Sequence, residues 1–317
     1  MVAEAALPTC TRVYQNHHLD STRWDAYRRR PGDVIISTSM KAGTTWMQRI
    51  LSLLVFGAGP LPDTLWNISP WLDERFHPET PQQLADKLEA QAHQRFIKAH
   101  IPLDALPYYP DVKYIYVGRD TRDVFMSMFN HYSAYTDFVY QILNGGDRRG
   151  EEMPRCPAEP RELWLQWMAR GNFEWESDGW PFWSHHYHAE SFWKFRHLPN
   201  VLLVHYADLK ADTEGQMRRV ADFVGIEVEE ENWPELVAAA GFEAMRRDGD
   251  ALMGADIGMA FQGGADRFLH KGTNGRWLDV LTPEDLQLYE RASSKLDPDL
   301  RRWLESGSLL AGNPQPR

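Results

Sequence analysis

Lys41, Lys98 and His100 are the side chains whose types and settings could carry a reaction. Lys41 lies in "TSMKAGTT", between an apolar, β-branched run that begins at Asp33 and a stretch from Thr44 whose apolar residues recur at helical spacing. A strand passing through small residues into a helix N-terminus aims backbone N–H groups and the helix dipole at an anion. The usual phosphate loop, G-x-x-x-x-G-K-[ST], has its lysine directly after the last glycine. Here Lys41 comes before Gly43. Loops of the usual kind move phosphoryl groups with a Mg²⁺ held by a loop hydroxyl and a distant Asp, and no residue in the chain stands out as that carboxylate. A group with less negative charge, such as a sulfuryl, could leave with lysine alone to steady it. Gly43, Thr44 and Thr45 would add N–H and hydroxyl donors at the helix start, where the dipole contributes roughly 0.3–1 kcal/mol toward an anion. His100 closes the short strand "RFIKAH", which also holds Lys98. An imidazole with its ordinary pKa of about 6.5 is mostly neutral near pH 7 and takes a hydroxyl proton readily.

Arg119 ends the apolar run "VKYIYVGRD", where a charge is costly unless paired. Its planar fork suits a phosphate; an ion pair with Asp120 or Asp123 is the plainer use. Ser127 follows on a helix read from "TRDVFMSMFNHY".

Strands from Asp33, Arg95, Val112 and Val201, with helical stretches between them, imply parallel crossovers. The fold class expected is therefore α/β, a P-loop-like central parallel sheet flanked by helices in a single domain spanning 1–317. Ligands in such sheets sit at the carboxyl ends of the strands, so the four following loops should share one crevice. Further helices are expected in "PQQLADKLEAQAHQ", "ELWLQWMARG", "HAESFWKFRHL" and "DLKADTEGQMRRVADFV", the last stopping at Gly225, and from Thr282 and Pro283 with Asp285 as capping partner. The first ~20 residues and the Gly- and Pro-rich stretch 144–160 read as mobile surface.

A net charge of -11 argues against nonspecific nucleic-acid binding, which needs a surplus of Lys and Arg. Any anion must be caught locally. The two cysteines, Cys10 and Cys156, form no metal-binding spacing and fit a reducing compartment. With no signal-like start and no apolar run long enough for a bilayer, a cytoplasmic protein is expected, without integral membrane contact.

Three separated segments together resemble the cytosolic-type sulfotransferases that use 3′-phosphoadenosine 5′-phosphosulfate (PAPS): "KAGTTW", "YVGRDTRDVFMSMFNHY" and "KGTNGRW". "IKAHIP" adds a fourth match, and the matches span Asp33 to Trp277. The resemblance implies a 5′-phosphosulfate loop made by Lys41, Ala42, Gly43, Thr44 and Thr45, with Trp46 stacked on the adenine. It implies a 3′-phosphate grip by Arg119 and Ser127, an adenine-side Tyr206, and a covering loop with His270, Lys271 and Gly272. His100 would be the base, with Lys41 and Lys98 steadying charge during in-line attack by an acceptor hydroxyl; the product would be the desulfated donor, PAP, and no metal would be needed. The chain departs from the family pattern at His270, where an arginine is usual, and Arg267 is a candidate substitute for it. Phe242 and Met245 would be apolar walls beside the adenine. The family's dimer motif is not recognisable, so the oligomeric state stays open.

Thirteen tryptophans need a use. Of the aromatics Trp66, Trp71, Phe76, Trp164, Trp167, Trp175, Trp180, Phe182 and Trp183, most are expected in the core, while several lie in Pro- and Gly-bearing stretches and suit an apolar acceptor pocket. The acceptor expected is bulky and hydrophobic with a hydroxyl: a phenol, a sterol-like molecule, a glycolipid or an aromatic natural product. His185, His186 and His188 fit no standard zinc spacing, and His188 falls near a structural histidine of the family. The rival functions are a P-loop nucleotide or small-molecule kinase and a catalytically idle nucleotide- or lipid-binding protein.

Overall fold

The computed structural model describes residues 6–254 and 256–315. Four strands, β1 (Val34–Ser37), β2 (Phe96–Ala99), β3 (Lys113–Gly118) and β4 (Val201–His205), form a sheet in the order β2-β1-β3-β4. Every pairing is parallel, with Ile35 opposite both Ile97 and Tyr114, and Tyr116 opposite Leu203. The strands read as unbroken apolar runs because both faces of the sheet are covered. Val34, Ile36, Ile115, Val117 and Val204 pack on one face with residues of α1 (Thr44–Phe56) and of the helices Thr213–Val224 and Trp233–Ala240. Ile35, Ile97, Tyr114, Tyr116 and Leu203 pack on the other with Phe192 and Trp303.

Parallel strands have one carboxyl edge and one amino edge. At the amino edge the buried pair Asp33 and Arg95 ties β1 to β2, with Arg95 Nε donating to Asp33 Oδ1 at 2.7 Å. Tyr27 Oη donates to the same carboxylate at 2.6 Å. The opposite edge is left for loops.

Several helix boundaries differ from expectation for local reasons. The helix expected from His188 starts at His185, because the Ser184 hydroxyl accepts from Tyr187 N, and it ends at Trp193. The stretch 208–224 is two helices, Tyr206–Ala211 and Thr213–Val224, because the Asp212 carboxylate caps the second by accepting from Gly215 N at 2.9 Å. That helix does stop at Gly225, in the left-handed region at φ 77°. Capping boxes at Thr80 with Gln83 and at Thr282 with Asp285 start the helices Pro81–Ala90 and Pro283–Ser293. Residues 226–280, largely unassigned from sequence, are a chain of short helices. From Tyr14 to Leu19 the segment expected to be mobile is instead packed, with both of those side chains fully buried in the core. Within 144–160, Asn144 exchanges two hydrogen bonds with the Met153 backbone, and Met153 is buried. Among the described residues no helix is long and apolar enough to cross a membrane.

Candidate functional site

Lys41 follows β1, His100 directly follows β2, Arg119 directly follows β3, and Tyr206 directly follows β4. All four line one cavity of about 590 Å³ at the carboxyl edge of the sheet. The crevice expected from the strand order is thus present.

The loop before α1 is held in an unusual shape. Lys41 adopts φ 65°, rare for a residue with a Cβ, and Gly43 adopts φ 134°. A Cβ on Gly43 would stand 3.1 Å from Val117 Cγ1 and 3.2 Å from Tyr206 Cδ2, so glycine lets the loop sit against both neighbouring strand ends. His185 braces it. Its Nε2 lies 2.9 Å from the Arg119 carbonyl, which can only accept, so the proton is on Nε2 and Nδ1 accepts from the Ser39 hydroxyl at 2.6 Å. One imidazole therefore joins the loops after β1 and β3. His186 Nε2 meets the Thr121 hydroxyl at 3.0 Å, and His188 Nε2 lies 3.0 Å from the Ile101 carbonyl. The histidine cluster is structural bracing, and among the described residues no group of three or more His, Cys, Asp or Glu is placed to hold a metal ion.

The same logic fixes the tautomer of His100. Its Nδ1 donates to the Thr38 carbonyl at 2.8 Å, which leaves the lone pair on Nε2. Asp73 anchors the backbone, accepting from His100 N at 2.9 Å and from the indoles of Trp71 at 2.7 Å and Trp24 at 3.1 Å. The imidazole is less ordinary than its sequence implies: burial, then the Lys98 charge, pushes its pKa well below 6.5. Lys98 lies over the Trp66 and Trp71 rings, 4.8 and 4.4 Å from their centroids. Burial lowers the Lys98 pKa and raises that of Glu74, which shares the cavity wall and attracts it. Lys41 Nζ lies 4.4 Å from the Phe268 centroid, and burial followed by the charges of Lys98, Arg119 and Arg276 lowers it to about 7.

At the far end of the cavity, Arg119 spends its donors on the Lys41 carbonyl (3.2 Å), the Thr273 carbonyl (3.2 Å) and Asn274 Oδ1 (2.9 Å), while its Nε is buried without a partner. The ion pair with Asp120 is not made, because Asp120 holds Arg122 at 2.5 Å. Arg119 instead stacks on Tyr206, 4.0 Å from its centroid. Ser127 lines the cavity from the helix Thr121–Tyr132. Trp46 packs edge-on to Tyr206 at 5.2 Å, with its indole N–H bound to the Ala240 carbonyl. Thr44, Thr45, His270, Lys271 and Gly272 also line the cavity, as do Phe242 and Met245. Ala42 is the exception, its methyl fully buried in the core, so only its backbone is available. Arg267 does not replace the missing arginine: its Nη2 donates to Ser133 Oγ at 3.1 Å.

Sequence reasoning missed Glu74, Lys210, Arg276, His18 and His131, all on the cavity wall. The aromatics divide as expected between core and cavity. Trp66, Trp71 and Phe76 do line the cavity, whereas Trp164, Trp167 and Trp183 are core. The remaining apolar wall comes from Phe138, Val139, Ile142, Phe261 and Phe268, which no local motif marks.

These residues fit a doubly anionic nucleotide at one end and an apolar molecule at the other. Two arginine Nε atoms, of Arg119 and Arg276, are buried without partners there, and Gly272 backs so closely on the Phe242 ring that a Cβ would stand 2.5 Å from it.

Comparison with known proteins points the same way. The model of the family described as the sulfotransferase domain matches residues 31–297. A glycolipid sulfotransferase of Mycobacterium bovis is 35% identical over 315 residues, covering 93% of this chain and 94% of that protein. Rat sulfotransferase 1A1 is 26% identical over 286 residues, covering 85% of this chain and 86% of that one. Among solved structures, retinol dehydratase in complex with androsterone and the inactive cofactor PAP aligns with TM-score 0.65 and 24% identity over 86% of this chain and 82% of that one, a likeness of fold.

Proposed function

The chain belongs to the sulfotransferase family, and on that footing we propose that it transfers the sulfuryl group of PAPS to a hydroxyl of a lipid-like acceptor, most closely a glycolipid. The observation that carries this reading is the single cavity joining the Lys41 loop to His100, whose lone pair faces an apolar chamber with its tautomer already set. When bound, PAPS supplies a sulfuryl group activated by its bond to phosphate. Lys41, the N–H groups of Gly43, Thr44 and Thr45, and the α1 dipole would hold its 5′ end; Arg119, Ser127, Lys271 and Gly272 its 3′-phosphate; Trp46 and Tyr206 its base. His100 Nε2 takes the acceptor's hydroxyl proton, and Lys41 and Lys98 face the negative charge that develops, a preorganised electrostatic role.

The glycolipid preference is supported by the 35%-identical relative, a glycolipid sulfotransferase, and by the walls of Trp66, Trp71, Phe138 and Phe268 around polar groups of Glu74, His18 and His131. Unpaired Cys10 and Cys156 are in keeping with a reducing cytoplasm. Incubation with PAPS and a panel of hydroxylated aromatics, sterols and glycolipids, followed by mass spectrometry, tests the reading. A gain of one sulfuryl group on a glycolipid is expected; turnover that needs ATP and Mg²⁺ instead would sink it.

A further inference from the structure

The donor end of the cavity carries a further cation, Arg276, inside the segment "KGTNGRW" but given no role above. Arg276 stands one residue beyond Gly275, whose N–H is fixed by Asp123 Oδ1 at 2.7 Å and which takes the left-handed φ of 80°. The Arg276 side chain is turned onto the cavity wall with Arg119, and its Nε is buried with no hydrogen-bond partner, as is Arg119 Nε. The two guanidinium groups repel each other in one partly desolvated corner where Asp123 offsets only part of their charge, and each keeps an Nε donor for an anion. Burial, then the charge of Arg119, lowers the Arg276 pKa, and Asp123 opposes them in part. His270, in the position where a cation would complete the grip, is no substitute: burial and the surrounding charges push it down to about 4, so it is neutral at pH 7.

We propose that Arg276 is the second arm of the donor grip, closing with Arg119 on the 3′-phosphate and so setting the preference for a 3′-phosphorylated nucleotide. Resting on the proposed function, this names the residue that confers donor specificity in place of His270. Lys210 supports the arm by holding the Gly272 carbonyl at 2.9 Å, which fixes the loop from which Arg276 reaches in.

Calorimetric affinities for PAP and for AMP, which lacks the 3′-phosphate, test the assignment without turnover. Wild type should prefer PAP. Arg276→Ala should lose about tenfold or more in PAP affinity, the scale of a lost charge-assisted hydrogen bond, with AMP affinity unchanged. Arg276→Lys should restore part of the preference as a point charge without the fork, and His270→Ala should leave the preference intact. The assignment is overturned if Arg276→Ala keeps the wild-type preference or loses both nucleotides equally. A wild type that fails to prefer PAP over AMP would instead overturn the donor reading on which the assignment stands.

Discussion

In the proposed reaction His100 would meet an acceptor through the lone pair of Nε2, because its other nitrogen is committed to the Thr38 carbonyl. Burial and Lys98 weaken it as a base, and donor anions would offset that by screening the lysines. A base works unprotonated, and a lowered pKa keeps it so until the pH falls well under 6.5. The acid limb of kcat/KM, which reports the free enzyme, should therefore lie below that value. Replacing His100 with alanine should lower kcat by about 10²–10⁴-fold while PAP affinity, measured calorimetrically, stays nearly constant; persistent turnover would remove His100 from the chemistry. Lys41 gives the opposite sign. Its pKa, brought down to about 7, means that it loses its charge as the pH rises through neutrality. Affinity for PAP should then weaken from pH 7 to 9, and Lys41→Arg should flatten that dependence by staying charged. The residues themselves were readable in the sequence, since Lys41, Lys98, His100 and Arg119 stand at strand ends. Their protonation was not, because burial and neighbouring charge come from segments far along the chain.

At the scale of elements, the strands were legible because both sheet faces are covered and each strand is an unbroken apolar run. The helix at Thr282 announced itself by its capping partner Asp285, and the one after Thr80 by its amphipathic pattern. What escaped was structure decided by one side chain. Asp212 turned a single expected helix into two by capping the second, and the short helices of 226–280 are too brief to show periodicity. In the proposed function the loop of His270, Lys271 and Gly272 covers the donor. Gly272→Ala would force a Cβ toward the Phe242 ring from a left-handed backbone, at φ 59°. Steady-state kinetics should show a raised KM for PAPS, while the melting temperature moves little because the loop lies outside the sheet core; an unchanged KM would mean the loop does not cover the donor.

The whole molecule carries a charge of -11, yet its cavity gathers Lys41, Lys98, Arg119, Lys210, Lys271 and Arg276 against Glu74 and Asp256. That separation of a cationic chamber from an acidic exterior should draw in an anionic donor, and the KM for PAPS should rise with ionic strength. The chamber's apolar half makes a different demand. Lengthening the alkyl chain of a hydroxylated acceptor should improve kcat/KM by up to about fourfold per methylene, until the volume of about 590 Å³, shared with the donor, is filled. Little of this chamber was visible in the chain, because its walls are drawn from residues as distant as His18 and Arg276. Arg119, finally, hydrogen-bonds the Lys41 and Thr273 carbonyls and so ties together two loops that line the chamber. In the proposed function the same side chain would also hold the nucleotide, so release of the nucleotide would require these ties to loosen. Departure of the spent nucleotide should be slower than the chemistry, so rapid-mixing experiments should record a burst of sulfated product in the first turnover before the rate settles to its steady value.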